Sequence, residues 1–367
     1  MNIGINARFL YSDILEGMGR YTYEVVSRMV LNHPNDNFYF FFDRPYSNRF
    51  LIGPNVIPVV VSPQARHPIL FYYWFEFSLV KAVRKYDIDV FYSSDNFMSL
   101  SLNIPTALVI HDLAYLHYPR HIPWLARQYY RLFMPKFIAK ADRIITVSQF
   151  VKEDVLNKSD VDEEKVDIVH NALPVRVPNE DRSTYDFEYP YFVYVGSINQ
   201  RKNIKNALLA FEEVQRVHTD MKFVLIGKKY NLDSATDKVF QRLVSGDVLI
   251  HLQNVSDGSL MGLLRKAKAL VYISLFEGFG IPLLEAMDAE IPIITSNVSS
   301  MPEVVGDAGL KVDPNNIREI AAAMARIIHD SELCQTLVSK GRSRLAVFSW
   351  EKSANKTYSI LKKIADV

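Results

Sequence analysis

Residues 274–287 read SLFEGFGIPLLEAM, and the apolar run ALVYI, residues 269–273, comes directly before them. An apolar run with β-branched members is typical of a strand that is buried on both faces of a parallel sheet. The leucines, alanine and methionine after Pro282 favour a helix, and proline is tolerated at a first helical position because no N–H is needed there. The stretch therefore predicts a strand, a glycine-rich turn and a helix, which is the repeating unit of an α/β fold.

The turn of this unit has the features of an anion site. Gly278 and Gly280 have no Cβ, so a ligand can approach the backbone closely. The N–H groups at the predicted helix start, Ile281 and Leu283, point at whatever binds beside Phe279, and they carry the positive end of the helix dipole. A diphosphate is the anion that we expect there.

Two carboxylates flank the turn, because Glu277 leaves the carboxyl end of the predicted strand and Glu285 lies in the first turn of the predicted helix. A glutamate at a helix start can simply complement the dipole, a contribution of about 0.3–1 kcal/mol, and this remains an alternative for Glu285. Carboxylates beside a diphosphate are also suited to accept hydrogen bonds from the hydroxyls of a ribose and a hexose. The two glutamates therefore predict a site for a sugar nucleotide.

Glu277 and Glu285, with seven residues between them that include Gly-Phe-Gly-Ile-Pro, resemble the Glu-x7-Glu signature of the retaining glycosyltransferases of family GT4. The resemblance implies the GT-B fold, an α/β architecture of two Rossmann-like doubly wound domains that face a central cleft. It also implies that Glu277 orients the transferred sugar and that Glu285 holds the ribose of the donor. Two carboxylates would also suit a glycosidase, but a Glu285 placed on a turn aimed at phosphate argues against a double-displacement pair.

The composition narrows the class of protein. A chain of 367 residues, 49% of them hydrophobic, can bury two ordinary cores, so we expect two domains. The formal net charge of +1 argues against a nucleic-acid partner. The lone cysteine, Cys334, excludes an intramolecular disulfide and a cysteine-based metal cluster, and it favours a reducing compartment. Neither a secretory signal nor an apolar stretch of about 18 residues is present. We therefore expect a cytoplasmic protein, either soluble or associated with the inner face of the membrane.

Strand-like and helix-like segments alternate along both halves of the chain, as in doubly wound α/β domains. We expect an N-terminal Rossmann-like acceptor domain at residues 1–173, a linker at 174–190 and a C-terminal Rossmann-like donor domain at 191–349. The resemblance implies that a last helix, 350–367, packs back on the N-terminal domain, with Ser349 as its N-cap. The predicted strands are residues 3–10, 38–42, 57–62, 90–93, 107–111, 144–148, 166–170, 192–196, 223–227, 248–252, 270–275, 293–296 and 310–312, and the predicted helices of the first half are residues 20–32, 71–85, 126–139 and 149–157.

Two motifs of the first half have both a functional and a structural interpretation. Gly17 and Gly19 form a glycine turn after the first strand, but no third glycine follows at dinucleotide spacing, so we expect no nicotinamide cofactor. The resemblance implies that this loop overhangs the donor diphosphate, and a plain strand-to-helix turn is the alternative. His111 ends a strand at the edge where open α/β sheets place reactive residues. Taken alone it is a structural histidine; the resemblance instead implies a catalytic contact with the transferred sugar.

The loop at residues 195–203 carries two adjacent cations, Arg201 and Lys202, after Gly196. Arginine can hold phosphate oxygens with two parallel hydrogen bonds and lysine supplies a point charge, so the pair could neutralise a leaving diphosphate without a metal ion. The alternative is that both cations are simply solvated. Cations at a helix start oppose the helix dipole, however, so we expect another group to compensate them. On this reasoning, replacing Lys202 by alanine should leave thermal stability unchanged or slightly raised. Many members of the family carry an arginine directly after the glycine, where this chain has Ser197.

Two further features are less specific. Asn254 and Val255 lie in a loop that, by resemblance, holds the edge of the donor base, and an ordinary turn is the alternative. Residues 68–85 and 118–140 mix aromatic and basic side chains, which suits a membrane surface or a lipid-linked acceptor. Much of this aromatic content must instead be core, since aromatic side chains carry large buried area. A peripheral membrane contact through these two segments is the functional alternative.

Together the motifs predict a retaining glycosyltransferase that moves a hexose from a nucleotide-diphosphate sugar to a hydroxyl of a glycan or lipid-linked glycan. Residues 5–8, INAR, and 19–21, GRY, resemble bacterial mannosyltransferases of surface-polysaccharide pathways, so GDP-mannose is the first candidate donor. We expect no metal ion and no cofactor besides the donor. The alternatives are a sugar-nucleotide epimerase of the same architecture, which needs no acceptor, and an inactive subunit that binds a sugar nucleotide without turnover.

Overall fold

The chain forms two compact units in the computed structural model, which describes residues 1–11, 15, 17–174, 185–230 and 232–366. Unit 1 comprises Met1–Pro174 and Ser349–Val367, and unit 2 comprises Val175–Phe348. Residues 175–184, the larger part of the predicted linker, lie outside the described residues. The last helix thus belongs to the same unit as the first half of the chain.

Within the described residues, unit 1 is built on a parallel sheet of seven strands in the order β3-β2-β1-β4-β5-β6-β7. In its centre Ile3 pairs with Phe38 on one side and with Val90 on the other. Every residue of β4 and β5 is buried, as expected of parallel strands covered on both faces. The strands are β1 (Asn2–Asn6), β2 (Asn37–Phe42), β3 (Val56–Val60), β4 (Val90–Ser93), β5 (Thr106–Ile110), β6 (Arg143–Thr146) and β7 (Val166–Ile168).

Helices join these strands, and the last helix of the chain packs among them. The helices of unit 1 are α1 (Gly17–Asn32), α2 (Pro68–Tyr73), α3 (Leu79–Lys85), α4 (Ala114–His117), α5 (Trp124–Lys140), α6 (Gln149–Lys158) and α14 (Trp350–Ala365). Helix α14 contacts α1, β4 and β5. The Ser349 hydroxyl accepts a hydrogen bond from Lys352 N–H at 3.4 Å and caps this helix. Trp350 Nε1 donates to the Leu173 carbonyl at 2.9 Å, which ties the start of α14 to the end of the N-terminal segment.

The predicted helix at 71–85 is interrupted. A π-helical turn at Trp74–Ser78 separates α2 from α3. Such a turn takes one extra residue and so rotates the side chains that follow. Trp74 and Phe75 are fully buried, and Trp74 Nε1 donates to the Val61 carbonyl at 2.8 Å, whereas no residue of α2 is buried. The interruption thus separates a core-facing segment from an exposed one.

Within the described residues, unit 2 is built on a second parallel sheet, with six strands in the order β10-β9-β8-β11-β12-β13. In both sheets the strand order reverses at one point, between β1 and β4 and between β8 and β11. Ligands of doubly wound folds bind beyond the carboxyl ends of the strands at such a switch point. The strands are β8 (Tyr191–Val195), β9 (Lys222–Ile226), β10 (Leu249–Leu252), β11 (Ala269–Tyr272), β12 (Ile293–Ser296) and β13 (Leu310–Val312).

Several strands end earlier than the sequence predicted. The segment predicted at 270–275 ends at Tyr272, and the segment predicted at 192–196 ends before Gly196, which has φ +135°. A Cβ on Gly227 would lie 2.1 Å from the Gly196 carbonyl oxygen, so the loops after β8 and β9 touch through their backbones. The helices of unit 2 are α7 (Ile204–Gln215), α8 (Ser234–Ser245), α9 (Asp257–Lys266), α10 (Ile281–Asp288), α11 (Met301–Val305), α12 (Ile317–His329) and α13 (Ser331–Leu345).

Across the described residues, the structure contains no helix that combines the length and the hydropathy needed to cross a membrane.

Candidate functional site

Two loops meet at the switch point of the unit 2 sheet. The loop after β8 contains a 3₁₀ turn, Gln200–Lys202, in which the Asn199 side chain accepts a hydrogen bond from Lys202 N–H at 3.3 Å. The loop after β11 runs through Glu277 to α10. Leu275 N–H donates to the Arg201 carbonyl at 2.9 Å and joins the two loops. The structure therefore brings together the predicted cations and one predicted carboxylate.

Glu277 is ion-paired with both cations. Lys202 Nζ donates to Glu277 Oε1, and Arg201 Nη1 lies 3.4 Å from Glu277 Oε2. The same Arg201 nitrogen donates to the Phe276 carbonyl at 2.8 Å. Lys202 and Glu277 are buried, with 8% and 7% of their surface exposed. The negative charge of Glu277 thus compensates the positive charges of Arg201 and Lys202.

Tyr272, the last residue of β11, completes the cluster. Its hydroxyl donates to Glu277 Oε1 at 3.0 Å and accepts from Lys202 Nζ at 2.9 Å. Its ring stacks on Tyr194 at a centroid distance of 5.8 Å, and the Tyr194 hydroxyl donates to the Ser197 carbonyl at 2.9 Å. The phenol therefore holds the carboxylate and the amine together.

The electrostatics fix the charges of this cluster. Burial raises the pKa of Glu277, but the charges of Lys202 and Arg201 outweigh it and hold that pKa below its ordinary value. Burial, together with the charge of Glu277, raises the pKa of Tyr272 well above its ordinary value. Near neutral pH the site therefore contains an ionised carboxylate and a neutral phenol.

The glycine-rich turn between Glu277 and α10 has a fixed backbone. Gly280 is the N-cap of α10 with φ +99°, and a Cβ there would lie 2.6 Å from Met301 Cε. Ser300 Oγ lies within hydrogen-bond distance of two backbone oxygens, 2.9 Å from Glu277 O and 3.0 Å from Phe279 O. Gly278 and Phe279 are buried. Ser300, in the loop between β12 and α11, thus supports the turn that the sequence predicted.

The start of α10 differs from the prediction. The helix begins at Ile281, so Pro282 is its second residue and Glu285 its fifth, which places Glu285 in the second turn. Pro282 has no N–H, and Leu283 N–H donates to the Gly280 carbonyl at 3.0 Å. The side chain of Leu283 is fully buried. The helix start therefore offers fewer amide donors than the sequence predicted.

Asn254 and Val255 lie in the loop between β10 and α9. Asn254 is exposed with φ +54°, and Val255 is half-buried. Ser256 caps α9 by accepting a hydrogen bond from Ser259 N–H at 3.3 Å. In the sheet, β9 lies between β10 and β8, so the loop that follows β10 is two strands away from the switch point.

Gly17 and Gly19 lie in the first turn of α1 rather than in a turn before it, which corrects the predicted helix start at residue 20. Glu16, which precedes them, lies outside the described residues. A Cβ on Gly19 would lie 2.8 Å from the Phe9 carbonyl oxygen. Close packing of α1 on the chain after β1 therefore accounts for Gly19.

His111 follows β5 in unit 1 and is held by hydrogen bonds. Its backbone N–H donates to Asn96 Oδ1 at 2.7 Å, and Nε2 lies 2.8 Å from the Ser94 carbonyl oxygen. Because a carbonyl only accepts, Nε2 carries the proton, and Nδ1 of the neutral ring keeps its lone pair. Burial lowers the pKa of His111, although the Ser94 carbonyl and the charges of Asp112 and Asp95 oppose this effect. The ring packs edge-on against Tyr21 at 4.9 Å.

The switch point of unit 1 holds a second buried ion pair. Arg8, after β1, donates to Asp95 Oδ2, after β4, at 2.6 Å from Nη2 and 3.2 Å from Nε. Asn6 Nδ2 donates to Asp95 Oδ1 at 2.8 Å. The Arg8 guanidinium also lies within 6 Å of several ring centroids, including Phe75 at 4.8 Å. It borders a cavity of about 480 Å³ in unit 1 whose walls combine aromatic and charged side chains: Phe9, Tyr11, Asp43, Arg44, Arg66, Phe71, Phe97, Tyr129 and Tyr130.

Sequence reasoning missed the residues that support the site. The sequence predicts only a buried strand for Tyr272, and the predicted site includes neither Ser300 nor Ser299, whose hydroxyl accepts from Glu277 N–H at 3.3 Å. A signal for the serines was present, because they follow β12, whose carboxyl end lies beside that of β11. Asp95 likewise follows the strand that neighbours β1.

Two family models match the chain, one on each half. The model of Glycosyltransferase Family 4 matches residues 15–176, and the model of Glycosyl transferases group 1 matches residues 179–344. The second match contains Arg201, Lys202 and Glu277. The two matches lie one after the other and together cover most of the chain.

Relatives and solved structures agree with these matches. The chain is 29% identical over 292 residues to O-antigen chain mannosyltransferase B of Escherichia coli, with 77% of this chain and 76% of the relative covered. It is 28% identical over 221 residues to O-antigen chain mannosyltransferase RfbU of Salmonella typhimurium, with 60% of each covered. The fold is similar to sucrose-phosphate synthase from Thermosynechococcus elongatus, with a TM-score of 0.77, 18% identity, and 99% and 98% of the two chains covered.

Proposed function

The chain belongs to the glycosyltransferases of family 4 and group 1 and has the GT-B fold, and we propose that it is a retaining mannosyltransferase. It takes mannose from a nucleotide-diphosphate donor, with GDP-mannose as the first candidate, and transfers it to a hydroxyl of a glycan or lipid-linked glycan. The names of the two bacterial relatives support mannose and a role in surface-polysaccharide synthesis.

The observation that carries the proposal is the cluster of Arg201, Lys202 and Glu277 at the switch point of unit 2. Two cations held at the place where doubly wound folds bind nucleotides suit a diphosphate. When the sugar leaves, negative charge develops on that diphosphate, and cations already in position stabilise it without reorganisation. We propose on this basis that transfer needs no divalent metal ion.

Glu277 has two tasks in this proposal. In the protein without donor it compensates Lys202 and Arg201, because a buried lysine needs a counter-charge. With donor bound, the diphosphate shares those cations, and the ionised carboxylate accepts hydrogen bonds from sugar hydroxyls. Glu285, half-buried one turn into α10, is proposed to accept from the ribose.

Unit 1 is proposed to bind the acceptor. Its cavity of about 480 Å³ has aromatic walls for the apolar faces of sugar rings and three arginines, Arg8, Arg44 and Arg66, at its lining. The guanidinium of Arg44 is paired with Asp43 by two hydrogen bonds, at 2.6 and 2.8 Å. Because Arg8 and Arg44 are paired with Asp95 and Asp43, this lining suits the hydroxyls and apolar faces of a glycan. Residues 68–85 and 118–140 are proposed to contact a membrane at its inner face, where a lipid-linked acceptor would be held.

The test begins with a thermal-shift screen of nucleotide sugars, followed by turnover with the best donor and a lipid-linked glycan acceptor, with and without a chelator. We expect GDP-mannose to raise the melting temperature most, and transfer to continue in the chelator with an α-linked product. Conversion of the donor without any acceptor would instead indicate an epimerase, and binding without turnover on any acceptor would indicate an inactive subunit. Loss of turnover in the chelator, restored by magnesium or manganese, would overturn the metal-free proposal.

A further inference from the structure

Two segments of unit 1, residues 68–85 and 118–140, form a surface that we call the basic–aromatic face. They pack against each other through α2 and α5, with Phe71 against Tyr129 at a centroid distance of 6.1 Å and Tyr72 against Phe133 at 5.6 Å. Their exposed side chains therefore lie side by side on one unit.

The face exposes large apolar side chains. Of the 17 such side chains that are exposed in the described residues, eight come from these two short segments. Ile69 and Tyr73 are four residues apart on α2 and so share one side of that helix. The ring of Phe77, in the π-helical turn, lies 5.4 Å from the ring of Tyr73. Trp124 and Leu132 are eight residues apart on α5. The exposed apolar residues of the face are Ile69 (69% exposed), Leu70, Tyr72, Tyr73, Phe77, Trp124 (65% exposed), Leu125 and Leu132.

The charges of the face are almost all positive. It contains eight of the 42 lysines and arginines of the chain and one of its 41 acidic residues. That one, Glu76, is buried and accepts hydrogen bonds from Leu100 N–H at 2.8 Å and Ser101 Oγ at 2.6 Å, so it offers no negative charge to the surface. The rest of the chain holds 34 cations against 40 carboxylates. A positive face on an otherwise negative protein attracts an anionic partner.

The tryptophan of the face lies among cations. A shallow concavity beside it is lined by Arg120, Ile122, Pro123, Trp124 and Arg127. Arg127 Nη1 donates to the Pro119 carbonyl at 3.2 Å, while its Nε is buried without a hydrogen-bond partner in the described part of the chain. Guanidinium groups next to an exposed indole suit the headgroup level of a bilayer, where tryptophan is enriched and phosphates are present.

We propose that the basic–aromatic face binds the surface of an anionic lipid bilayer, with Trp124, Ile69 and Phe77 entering the headgroup region and the cations contacting lipid phosphates. An anionic bilayer matches both properties of the face, because apolar burial and electrostatic attraction act together at such a surface. This inference deepens the membrane contact of the proposed function. Its test needs no turnover, so it can fail while the proposed reaction stands, and the reverse also holds.

Trp124 provides a direct readout. The chain has three tryptophans, and the other two, Trp74 and Trp350, are buried. We expect the fluorescence emission of the full chain to shift to shorter wavelength on vesicles of phosphatidylglycerol with phosphatidylcholine, and not on phosphatidylcholine alone. Trp124→Phe should remove the shift while the protein still sediments with anionic vesicles.

Matched variants separate the two contributions. Ile69→Ser should weaken sedimentation with anionic vesicles, whereas Val217→Ser, at a site 77% exposed in unit 2, should not. Arg131→Glu with Lys136→Glu should lower partitioning at least about tenfold, since two cations near an anionic surface are each replaced by an anion. Lys238→Glu with Arg318→Glu makes the same charge change on exposed residues of unit 2 and should have a much smaller effect.

Three results would overturn the proposal. The first is an unchanged Trp124 emission with the protein left in the supernatant of anionic vesicles. The second is equal binding to both kinds of vesicle, which would remove the role of the cations. The third is a lipid-free dimer that Ile69→Ser converts to a monomer, since the face would then join two copies of this chain.

Discussion

Lys202 and Glu277 form a buried ion pair between two loops of unit 2, and the Tyr272 hydroxyl lies 2.9 Å from the lysine nitrogen and 3.0 Å from the carboxylate. The sequence alone suggested that Lys202 opposes a helix dipole, so that its removal would be harmless to the fold. The pair changes that expectation, because the lysine also compensates a buried carboxylate. We therefore expect Lys202 to contribute to stability as well as to the proposed chemistry.

Lys202→Ala should lower the stability of unit 2. It leaves the buried Glu277 carboxylate with Arg201, at 3.4 Å, as its remaining cation and with the hydrogen bond from Tyr272, and an incompletely paired buried charge costs about 1–3 kcal/mol. Turnover should also fall, on the order of 10²–10³-fold, if the lysine stabilises the leaving diphosphate. The three tryptophans all lie in unit 1, so unfolding of unit 2 should be followed by circular dichroism rather than by tryptophan fluorescence.

A double variant separates the two roles of the lysine. Lys202→Ala with Glu277→Gln should be more stable than the sum of the two single changes predicts, since each removes the partner that the other needs. Its turnover should stay low. Additive losses of stability would show that the two side chains are not coupled and would contradict the ion pair as the source of the effect.

Tyr272→Phe should lower turnover more than stability. It removes one hydroxyl that bridges Lys202 and Glu277, and one lost hydrogen bond costs about 0.5–1.5 kcal/mol. Donor affinity should change little, because both charges remain. Tyr194→Phe is the matched control, since its hydroxyl donates to the Ser197 carbonyl and not to the carboxylate. Equal losses of turnover in the two variants would rule out a positioning role for Tyr272.

Glu285→Gln should weaken donor binding, whereas Glu277→Gln should mainly lower turnover. A carboxylate that accepts from ribose hydroxyls contributes about 1.5–3 kcal/mol, which corresponds to about 10- to 150-fold in the dissociation constant. Calorimetric titration with the nucleotide sugar measures this directly. Full donor affinity in Glu285→Gln would refute the ribose assignment.

The sequence predicted the strand-turn-helix unit at the site and the residues it brings together, because hydrophobic periodicity and glycine report local structure. It did not predict Tyr272, because a tyrosine inside an apolar run is indistinguishable from core until the neighbouring loop is placed. The sequence also did not predict the π-helical turn at Trp74–Ser78, because the burial of Trp74 depends on tertiary packing that a local pattern does not report. The ends of the elements were predicted less accurately. Helix α10 begins at Ile281, one residue before Pro282, and this places Glu285 in the second turn.

His111 should make the stability of unit 1 depend on pH in a defined direction. Burial lowers its pKa in the folded protein, whereas the unfolded chain has the ordinary value of about 6.5. Below that value the unfolded chain binds a proton that the folded protein does not, so stability rises with pH in this range and is fully present above it. Between about pH 6.5 and 5.5 the contribution cannot exceed about 1.4 kcal/mol, the equivalent of one pKa unit.

His111→Gln tests this, because glutamine can still donate to the Ser94 carbonyl but does not titrate. Tryptophan fluorescence reports unit 1 alone, so urea unfolding at about pH 7.5 and about pH 5.5, on either side of the ordinary histidine pKa, isolates the relevant unit. The wild-type protein should lose more stability between the two pH values than the variant does. His33, whose pKa is also lowered by burial, contributes equally to both proteins and cancels in the comparison. Equal losses would mean that His111 titrates alike in the folded and unfolded chains, and the neutral imidazole assigned to the folded site would then be wrong.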